Sequence, residues 1–401
     1  MASSSTHIDA TSQPSSTRGS LLVSLPLLAN EALDSMLANL AAAFPSQPIL
    51  VATPAAPNGA ANAAPANVRL LAYTPAVTSA TTWILTAADY LNNFKLAQDH
   101  QATTCLLLGA ESQSLAPGAI RALAASLTDS NADLAVAHYN LGPREGLVNS
   151  AILYPLTRAL FNTRPRFPLA VDLGFSMRMA ERLAATAQKF TSTNQNDALL
   201  WPVPEAATAG YAITEVDIGI RALPPPSALD LNTLLAQVCG SLFSEVDAKA
   251  TFWQRVRGTQ PAHPFTPSAP AAEPSDITPM LDAFRLAYTN LHEIWSLVLP
   301  PNSLLGLKRL SVAPAESFHM PDNLWARIVY DFALAYRLRT INRGHLLGAL
   351  TPLYLAWVAS HLVLTGSGTQ PEKHIQDLAA AFENDKAYLV SRWRWPDRFN
   401  P

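Results

Sequence analysis

Cysteine and charge are both scarce in this sequence of 401 residues. There are two cysteines, and Asp, Glu, Lys and Arg together make up 14% of the chain. Cys105 and Cys239 lie in apolar surroundings, so we expect buried free thiols rather than a disulfide. Cysteine and histidine also lack the spacing of a zinc site. A reducing, cytoplasmic setting fits this usage.

A strong charge and a leader-like segment are absent as well. The formal net charge is −3 and the basic residues are scattered, so we predict no nucleic-acid partner. Residues 1–20 are rich in Ser and Thr and have no apolar stretch, which predicts a disordered tail. Only 345–364 approaches the length of a bilayer span, and it contains Pro352 and two histidines. We predict a buried helix pair there, with no membrane span.

Apolar strands alternate with helices in the first half of the chain. Strands are predicted at 21–25, 48–52, 68–73, 103–108 and 133–139. Helices are predicted at 30–44, 87–100 and 117–127, the first capped by Asn30. Strands that are almost continuously apolar indicate an α/β fold with a mostly parallel sheet covered on both faces. In such sheets ligands bind at the carboxyl ends of the strands, here 26–27, 54–55 and 109–112.

The second half of the chain is predicted to be helical. One helix begins near Pro321, with Asp322 as its cap and a salt bridge between Arg327 and Asp331. The predicted organisation is a tail at 1–20, an α/β domain at 21–228, a connecting helix at 229–260, a Pro/Ala-rich linker at 261–278 and an all-α domain at 279–401.

Two long strings resemble a known family. They are Tyr154–Phe161 (YPLTRALF) and Pro168–Ser176 (PLAVDLGFS), and both resemble the branch of family 2-type glycosyltransferases that includes glucosyl-3-phosphoglycerate and mannosylglycerate synthases. Residues 324–333, 349–355 and 382–389 resemble its helices. The resemblance implies a GT-A nucleotide-diphospho-sugar transferase fold with a C-terminal all-α domain. It also implies transfer of a hexose to a small, glycerate-like acceptor with retention of configuration.

The resemblance also assigns roles to individual positions. The family's Asp-x-Asp metal motif falls on Gly109-Ala110-Glu111, so it is degenerate and Glu111 alone remains as a ligand for Mn²⁺ or Mg²⁺. Metal binding is therefore expected to be weak or absent. The remaining assignments are Asp172 and Arg221 as catalytic residues, Glu111, Ser112, Pro26 and Gly174 at the donor, and Glu145, Asn149 and Ser176 at the acceptor.

Several alternatives stay open at this point. Asp172 either contacts the sugar or makes a structural hydrogen bond to a loop, and Glu111 is either a metal ligand or a solvated carboxylate. Arg158, Arg164 and Arg166 are interpreted as exposed cations, with phosphate contact as the alternative. The chain as a whole is a transferase or an inactive homologue that binds a sugar nucleotide or serves as a scaffold. A third interpretation is a metal-independent transferase, and a homodimer is also open.

Overall fold

The structure is a computed structural model, which describes residues 20–54, 64–79, 83–192, 199, 201–223, 230–258, 261 and 276–396. The predicted disordered tail therefore lies outside the described residues, as does most of the predicted linker. Within the described residues, seven strands form one sheet in the order β3-β2-β1-β4-β6-β5-β7. The strands are β1 (Leu21–Ser24), β2 (Ile49–Pro54), β3 (Val68–Tyr73), β4 (Thr104–Leu108), β5 (Leu134–Tyr139), β6 (Asp172–Ser176) and β7 (Ile213–Gly219).

The sheet is parallel except for β6, which runs antiparallel to both β4 and β5. Every residue of β1 is buried, as are four of the five in β4, so both faces of the sheet are covered. The α/β prediction is thus confirmed, and strands β1 to β5 lie within two residues of their predicted bounds. Strands β6 and β7 were not predicted. The sequence of β6 contains Asp172 and Gly174, and β7 is a half-buried edge strand with alternating polar residues.

Fourteen helices accompany the sheet within the described residues. They are α1 (Asn30–Ala43), α2 (Ala87–Asp99), α3 (Pro117–Thr128), α4 (Tyr154–Phe161), α5 (Met177–Ser192), α6 (Pro202–Ala209), α7 (Leu231–Ala248), α8 (Ala250–Trp253), α9 (Thr278–Asn290), α10 (His292–Ser296), α11 (Pro301–Ser311), α12 (Asp322–Leu338), α13 (Arg343–Gly366) and α14 (Pro371–Arg394). The two predicted caps are wrong by one residue. Ala29 and Pro321 occupy the cap positions of α1 and α12, and neither provides a side-chain hydrogen bond.

Two hydrophobic cores organise the molecule. One surrounds the sheet and includes helices α1, α2, α3 and α5. The other lies among the C-terminal helices, yet it also contains Ile152, Tyr154 and Leu160 from the chain between β5 and β6. The segment Asn149–Phe161 therefore belongs to the helical core, although the sequence prediction placed it in the α/β domain. The two predicted domains interlock at this segment.

A proline explains how that segment docks. Residues Asn149–Leu153 form a π-helical turn, and Pro155 follows in the first turn of α4. Because Pro155 has no N–H, it cannot donate to the carbonyl of Ala151 four residues before it. The indole N–H of Trp325 donates to that carbonyl at 2.8 Å, and its ring is fully buried. A helix defect in one half of the chain thus receives a hydrogen bond from the other half.

Helix α13 is, within the described residues, the one helix whose length and composition would allow it to cross a membrane. It is a single helix that continues through Pro352, so the predicted helix pair is wrong. Its burial is as predicted, because Leu350, Leu353 and Trp357 are all fully enclosed in the helical core. The apolar composition of α13 is accounted for by contacts within the protein.

Several polar predictions are corrected by the structure. Arg158 and Arg166 are buried and form ion pairs with Glu383 and Glu372 on α14, whereas Arg164 is exposed as expected. Both buried arginines join the chain before β6 to the last helix. The predicted pair on α12 does not form. Its arginine and aspartate instead bind different residues of α14, as shown by Arg327–Asp385 and Asp331–Arg392. Both cysteines are free and buried, as predicted.

Candidate functional site

The candidate site lies at the carboxyl edge of the sheet, where four segments meet. Gly109, Ala110 and Glu111 follow β4, Tyr139 ends β5, and the loop after β7 contains Arg221. Because β6 is antiparallel, its first residue, Asp172, lies at this same edge and pairs with Leu108. Open α/β sheets bind ligands at the carboxyl ends of their parallel strands, and β4, β5 and β7 all end at this edge.

Asp172 and Arg221 form a fully buried ion pair at this edge. Both side chains are completely shielded from solvent, and both carboxylate oxygens of Asp172 are engaged by the guanidinium. Arg221 Nη2 also donates to the carbonyl of Ala110 at 2.7 Å. The pair therefore joins β6, the loop after β4 and the loop after β7. A bidentate pair of this kind fixes geometry and neutralises the cation of Arg221.

Backbone donors complete the environment of Asp172. The Gly109 N–H donates to Asp172 Oδ1 at 3.1 Å, while the N–H groups of Val171 and Asp172 donate to the hydroxyl oxygen of Tyr139. Burial and the nearby Asp172 carboxylate raise the pKa of Tyr139 well above its usual value. Tyr139 therefore stays a neutral phenol that pins the start of β6. The structural interpretation of Asp172, a hydrogen bond to a loop backbone, holds in this structure.

The strand end does not fit the metal that the family resemblance implies. A Cβ atom on Gly109 would lie 2.9 Å from the carbonyl oxygen of Val171, so a carboxylate cannot be added there without moving backbone. Glu111 is the remaining carboxylate, and its Oε2 accepts a hydrogen bond from Gln113 at 2.8 Å. No group of three potential metal-ligating residues occurs among the described residues. A divalent ion would have one protein ligand here, against the several oxygens it prefers.

Above the ion pair lies a cleft of about 660 Å³. Its floor includes Tyr139 and Arg221, and its rim includes Arg144, Glu145 and Asn149. Most of the remaining wall is apolar, with Trp83, Leu153, Phe167, Leu231, Leu234 and Val238 among the lining residues. The volume is typical of small-molecule sites, which combine apolar walls with a few polar groups.

The predicted acceptor residues Glu145 and Asn149 are brought together at this cleft. The Glu145 carboxylate accepts a hydrogen bond from the Gly142 N–H at 3.0 Å, which curls the loop after β5. Asn149 begins the π-helical turn and donates to the Arg166 carbonyl at 2.9 Å. One amide oxygen and one carboxylate oxygen can therefore face a ligand hydroxyl from a single loop.

A smaller cavity of about 120 Å³ adjoins the cleft and shares Tyr139 and Phe167 with it. Its other walls include His138, Arg166 and Glu372. Arg166 Nε lies 3.1 Å from Glu372, so the one arginine of this cavity is already paired with a carboxylate. Burial lowers the pKa of His138, which keeps its imidazole neutral at physiological pH.

Four predicted site residues lie elsewhere. Gly174 is enclosed in the middle of β6, where a Cβ would meet Leu127 at 2.9 Å, so its role is packing. Ser176 ends β6 at the opposite edge of the sheet, roughly 13 Å from Asp172, and hydrogen-bonds Asp133. Ser112 is fully buried in a turn after β4. The remaining one is Pro26, which follows β1 at the carboxyl edge but is not among the residues that line the cleft.

The apolar wall was missed by sequence reasoning. Leu231, Leu234 and Val238 lie on one face of α7, at a spacing that predicts burial but not what is buried against them. Tyr354 was predicted to be a core aromatic and also lines the cleft. Their helical spacing was the available signal, and it could not distinguish a core from a ligand-binding wall.

Comparisons with known proteins give a structural similarity alone. No protein-family model matches the chain, and no curated protein matches it. The fold is similar to crystal structures of glucosyl-3-phosphoglycerate synthase from Mycobacterium tuberculosis. One, in complex with phosphoglyceric acid, has 15% identity over 57% of this chain and 80% of that chain, with a TM-score of 0.35.

Two further structures of the same synthase give similar values. One holds Mn²⁺, uridine diphosphate and glucosyl-3-phosphoglycerate, with 16% identity, 57% and 80% coverage and a TM-score of 0.35. Another holds Mg²⁺ and uridine diphosphate, with 15% identity, 57% and 79% coverage and a TM-score of 0.37. Similarity at this level does not establish the chemistry of the cleft, which follows from its own residues.

Proposed function

We propose that the protein is a glycosyltransferase that transfers a hexose from a nucleotide-diphospho-sugar to a small hydroxyl-bearing acceptor. The observation that supports this most is the cleft at the carboxyl edge of the sheet, beside the antiparallel strand β6. Glu145 and Asn149, which the sequence assigned to the acceptor, both line it. The predicted glycerate-like acceptor would need Arg144 for its carboxylate, because the other lining arginine, Arg221, is neutralised by Asp172.

Within this proposal the residues act by positioning and by excluding water. The Asp172–Arg221 pair holds the floor of the cleft rigid, and the apolar wall lowers the local dielectric around a bound donor. The Glu145 carboxylate is the group in the cleft that can accept a proton from an acceptor hydroxyl. Stabilisation of the leaving diphosphate has no metal-binding pair of carboxylates to rely on. We therefore assign no step to a metal.

A second candidate is an inactive homologue that binds a sugar nucleotide or serves as a scaffold. Two observations favour it over a metal-dependent transferase. Gly109 leaves no space for a carboxylate at the first metal position, and the guanidinium of Arg221 is paired with Asp172 and also bonds the Ala110 carbonyl. A buried, neutralised cation offers little electrostatic stabilisation to a departing diphosphate.

The test is titration calorimetry with uridine, guanosine and adenosine diphosphates, each with and without manganese. It is followed by transfer assays with the matching nucleotide-glucose and a panel of hydroxyl-bearing acceptors that includes glycerate. We expect one nucleotide to bind with an affinity that manganese leaves unchanged. If manganese tightens binding, Glu111→Ala should abolish the gain and the exposed control Glu181→Ala should keep it. Binding without transfer to any acceptor would favour the inactive homologue, and binding of no nucleotide would contradict the transferase proposal.

A further inference from the structure

The wall of the cleft is far more apolar than a small anionic acceptor requires. Helix α7 contributes Leu231, Leu234 and Val238 from its first two turns, and Leu153 and Phe167 face the same space from the chain between β5 and β6. Leu231 and Leu234 remain half-buried, so their side chains keep exposed apolar surface inside the cleft. Burying such surface against a ligand stabilises a complex by about 25 cal/mol per Å².

The charge in the cleft also argues against a small anion. Arg221 reaches the lining, but both oxygens of Asp172 engage its guanidinium, so its charge is compensated within the protein. Glu145 adds a negative charge at the rim, next to Arg144 in sequence. A carboxylate placed against the apolar wall would lose its hydration and gain little in return.

We propose that the acceptor side of this cleft binds an amphipathic molecule with an alkyl or acyl chain and a hydroxylated head. The chain lies along the apolar wall formed by Leu153, Leu231, Leu234 and Val238, and the head faces Glu145 and Asn149. A volume of about 660 Å³ falls in the range of pockets that enclose drug-sized ligands. The role of this ligand as an acceptor rests on the proposed function, whereas its chemical class follows from the lining of the cleft alone.

The head group also has defined chemistry. Asn149 can offer its amide oxygen as an acceptor, while one hydrogen of its amide nitrogen donates to the Arg166 carbonyl. Glu145 presents the carboxylate oxygen that the Gly142 N–H leaves available. Two acceptor atoms on one loop match a head that donates from two neighbouring hydroxyl groups, and they repel a carboxylate.

The experiment measures binding of 1-O-alkylglycerols with ethyl, hexyl and decyl chains, below their micellar concentrations, by calorimetry on the full chain. Glycerate is titrated in parallel. We expect affinity to rise about threefold to fourfold for each added methylene group and glycerate to bind weakly or not at all. Leu234→Asn should weaken decylglycerol binding at least about tenfold while leaving the far-ultraviolet circular dichroism spectrum unchanged.

The matched control is Leu286→Asn, which changes an exposed leucine of α9 outside the cleft and should leave decylglycerol binding unaltered. An affinity that does not depend on chain length, or tight binding of glycerate, would overturn the inference. So would an equal loss of binding in both leucine variants. If a nucleotide binds and no alkylglycerol does, the ligand class is contradicted and the donor half of the proposed function is left intact. If alkylglycerols bind and no nucleotide does, the ligand class is supported and the donor half of the proposed function is contradicted.

Discussion

At the scale of single residues, the sheet edge is dominated by Asp172 and Arg221. The family resemblance predicts catalytic roles for both, and each is fully buried against the other. Burying two charges is costly unless their geometry is good and their remaining hydrogen-bonding capacity is used. Here the Gly109 N–H and the Ala110 carbonyl supply those partners. The pair therefore has a structural role that is measurable without a substrate.

We predict that Arg221→Met lowers the free energy of unfolding by about 3–5 kcal/mol, because it leaves the Asp172 carboxylate buried and uncompensated. Urea denaturation followed by circular dichroism measures the change. The control is Arg178→Met, whose arginine pairs with Asp133 but is 70% exposed, and we expect a much smaller loss. The double variant Asp172→Leu with Arg221→Met should recover part of the lost stability, because no unpaired charge then remains buried. Equal losses in the two single variants would contradict this account.

The second residue-scale prediction concerns Gly109. A Cβ at this position would lie 2.9 Å from the Val171 carbonyl oxygen and 3.0 Å from the Val171 Cβ. Gly109→Asp should therefore cost about 1–3 kcal/mol of stability through overpacking and should not create manganese-dependent nucleotide binding. Gly118→Asp is the matched control, since nothing lies within 4 Å of its Cβ and an acidic residue suits the first turn of α3. Manganese-dependent binding by Gly109→Asp would show that the strand end adapts.

At the scale of elements, the chain between β5 and β6 decides how the cleft is built. Its π-helical turn places Asn149 at the rim, and Arg158 at the end of α4 bonds Glu383 of α14 at 2.9 Å. The loop before β6 is fixed by the Arg166 N–H, which donates to the Glu215 carboxylate of β7. Three elements distant in sequence thus hold one wall of the cleft.

The Glu215 contact gives a prediction on pH dependence. Burial raises the pKa of Glu215 to about 7 from 4.5, against the lowering effect of the Arg166 N–H and the nearby arginines. Between these values the folded protein binds more protons than the unfolded chain. Its contribution to stability is therefore complete below pH 4.5 and is lost as the pH rises through about 7.

Glu215→Gln mimics the protonated carboxyl, so we expect it to be more stable than the natural protein at pH 8 by about 1–3 kcal/mol. At pH 5 the two proteins should differ little. Thermal or urea denaturation at both pH values measures this, with the exposed Glu181→Gln as control. A Glu215→Gln protein that is less stable at pH 8 would show that the carboxylate is ionised and stabilising there.

At the scale of the whole molecule, the two hydrophobic cores share chain segments. Ile152, Tyr154 and Leu160 precede β6 in sequence but are buried among the C-terminal helices. The side chain of Trp325 donates to the Ala151 carbonyl, to which Pro155 cannot donate. Neither the sheet region nor the helical region can bury its apolar surface alone.

We predict that residues 21–228 expressed alone do not form a stable monomer, because the apolar face of 149–161 would be exposed to water. Size-exclusion chromatography and circular dichroism, compared with the full chain, measure this. A fragment carrying Ile152→Ser and Leu160→Ser serves as control and should aggregate less. A monomeric, cooperatively unfolding fragment of unaltered sequence would contradict the interlocked arrangement and restore the predicted boundary.

The type of fold and much of its layout follow from the pattern of apolar residues along the chain. Apolar runs predicted strands β1 to β5 within two residues, because a strand buried on both faces is recognisable from composition alone. The rule for parallel sheets pointed to the strand ends where the cleft lies, and the family resemblance identified Gly109 as the departure from a metal-binding motif. The strand predictions depend on local pattern, which a sequence displays directly.

The construction of the site could not be predicted in this way, because it depends on contacts made in the folded chain. Three features depend on contacts between residues that are far apart in the chain. They are the carboxylate that neutralises Arg221, the sheet edge at which Ser176 lies, and the set of side chains that line the cleft. The reversed direction of β6 settles the first two, since it places Asp172 at the ligand edge and Ser176 opposite. A helical apolar stripe such as that of α7 predicts burial, while its partner is set by packing.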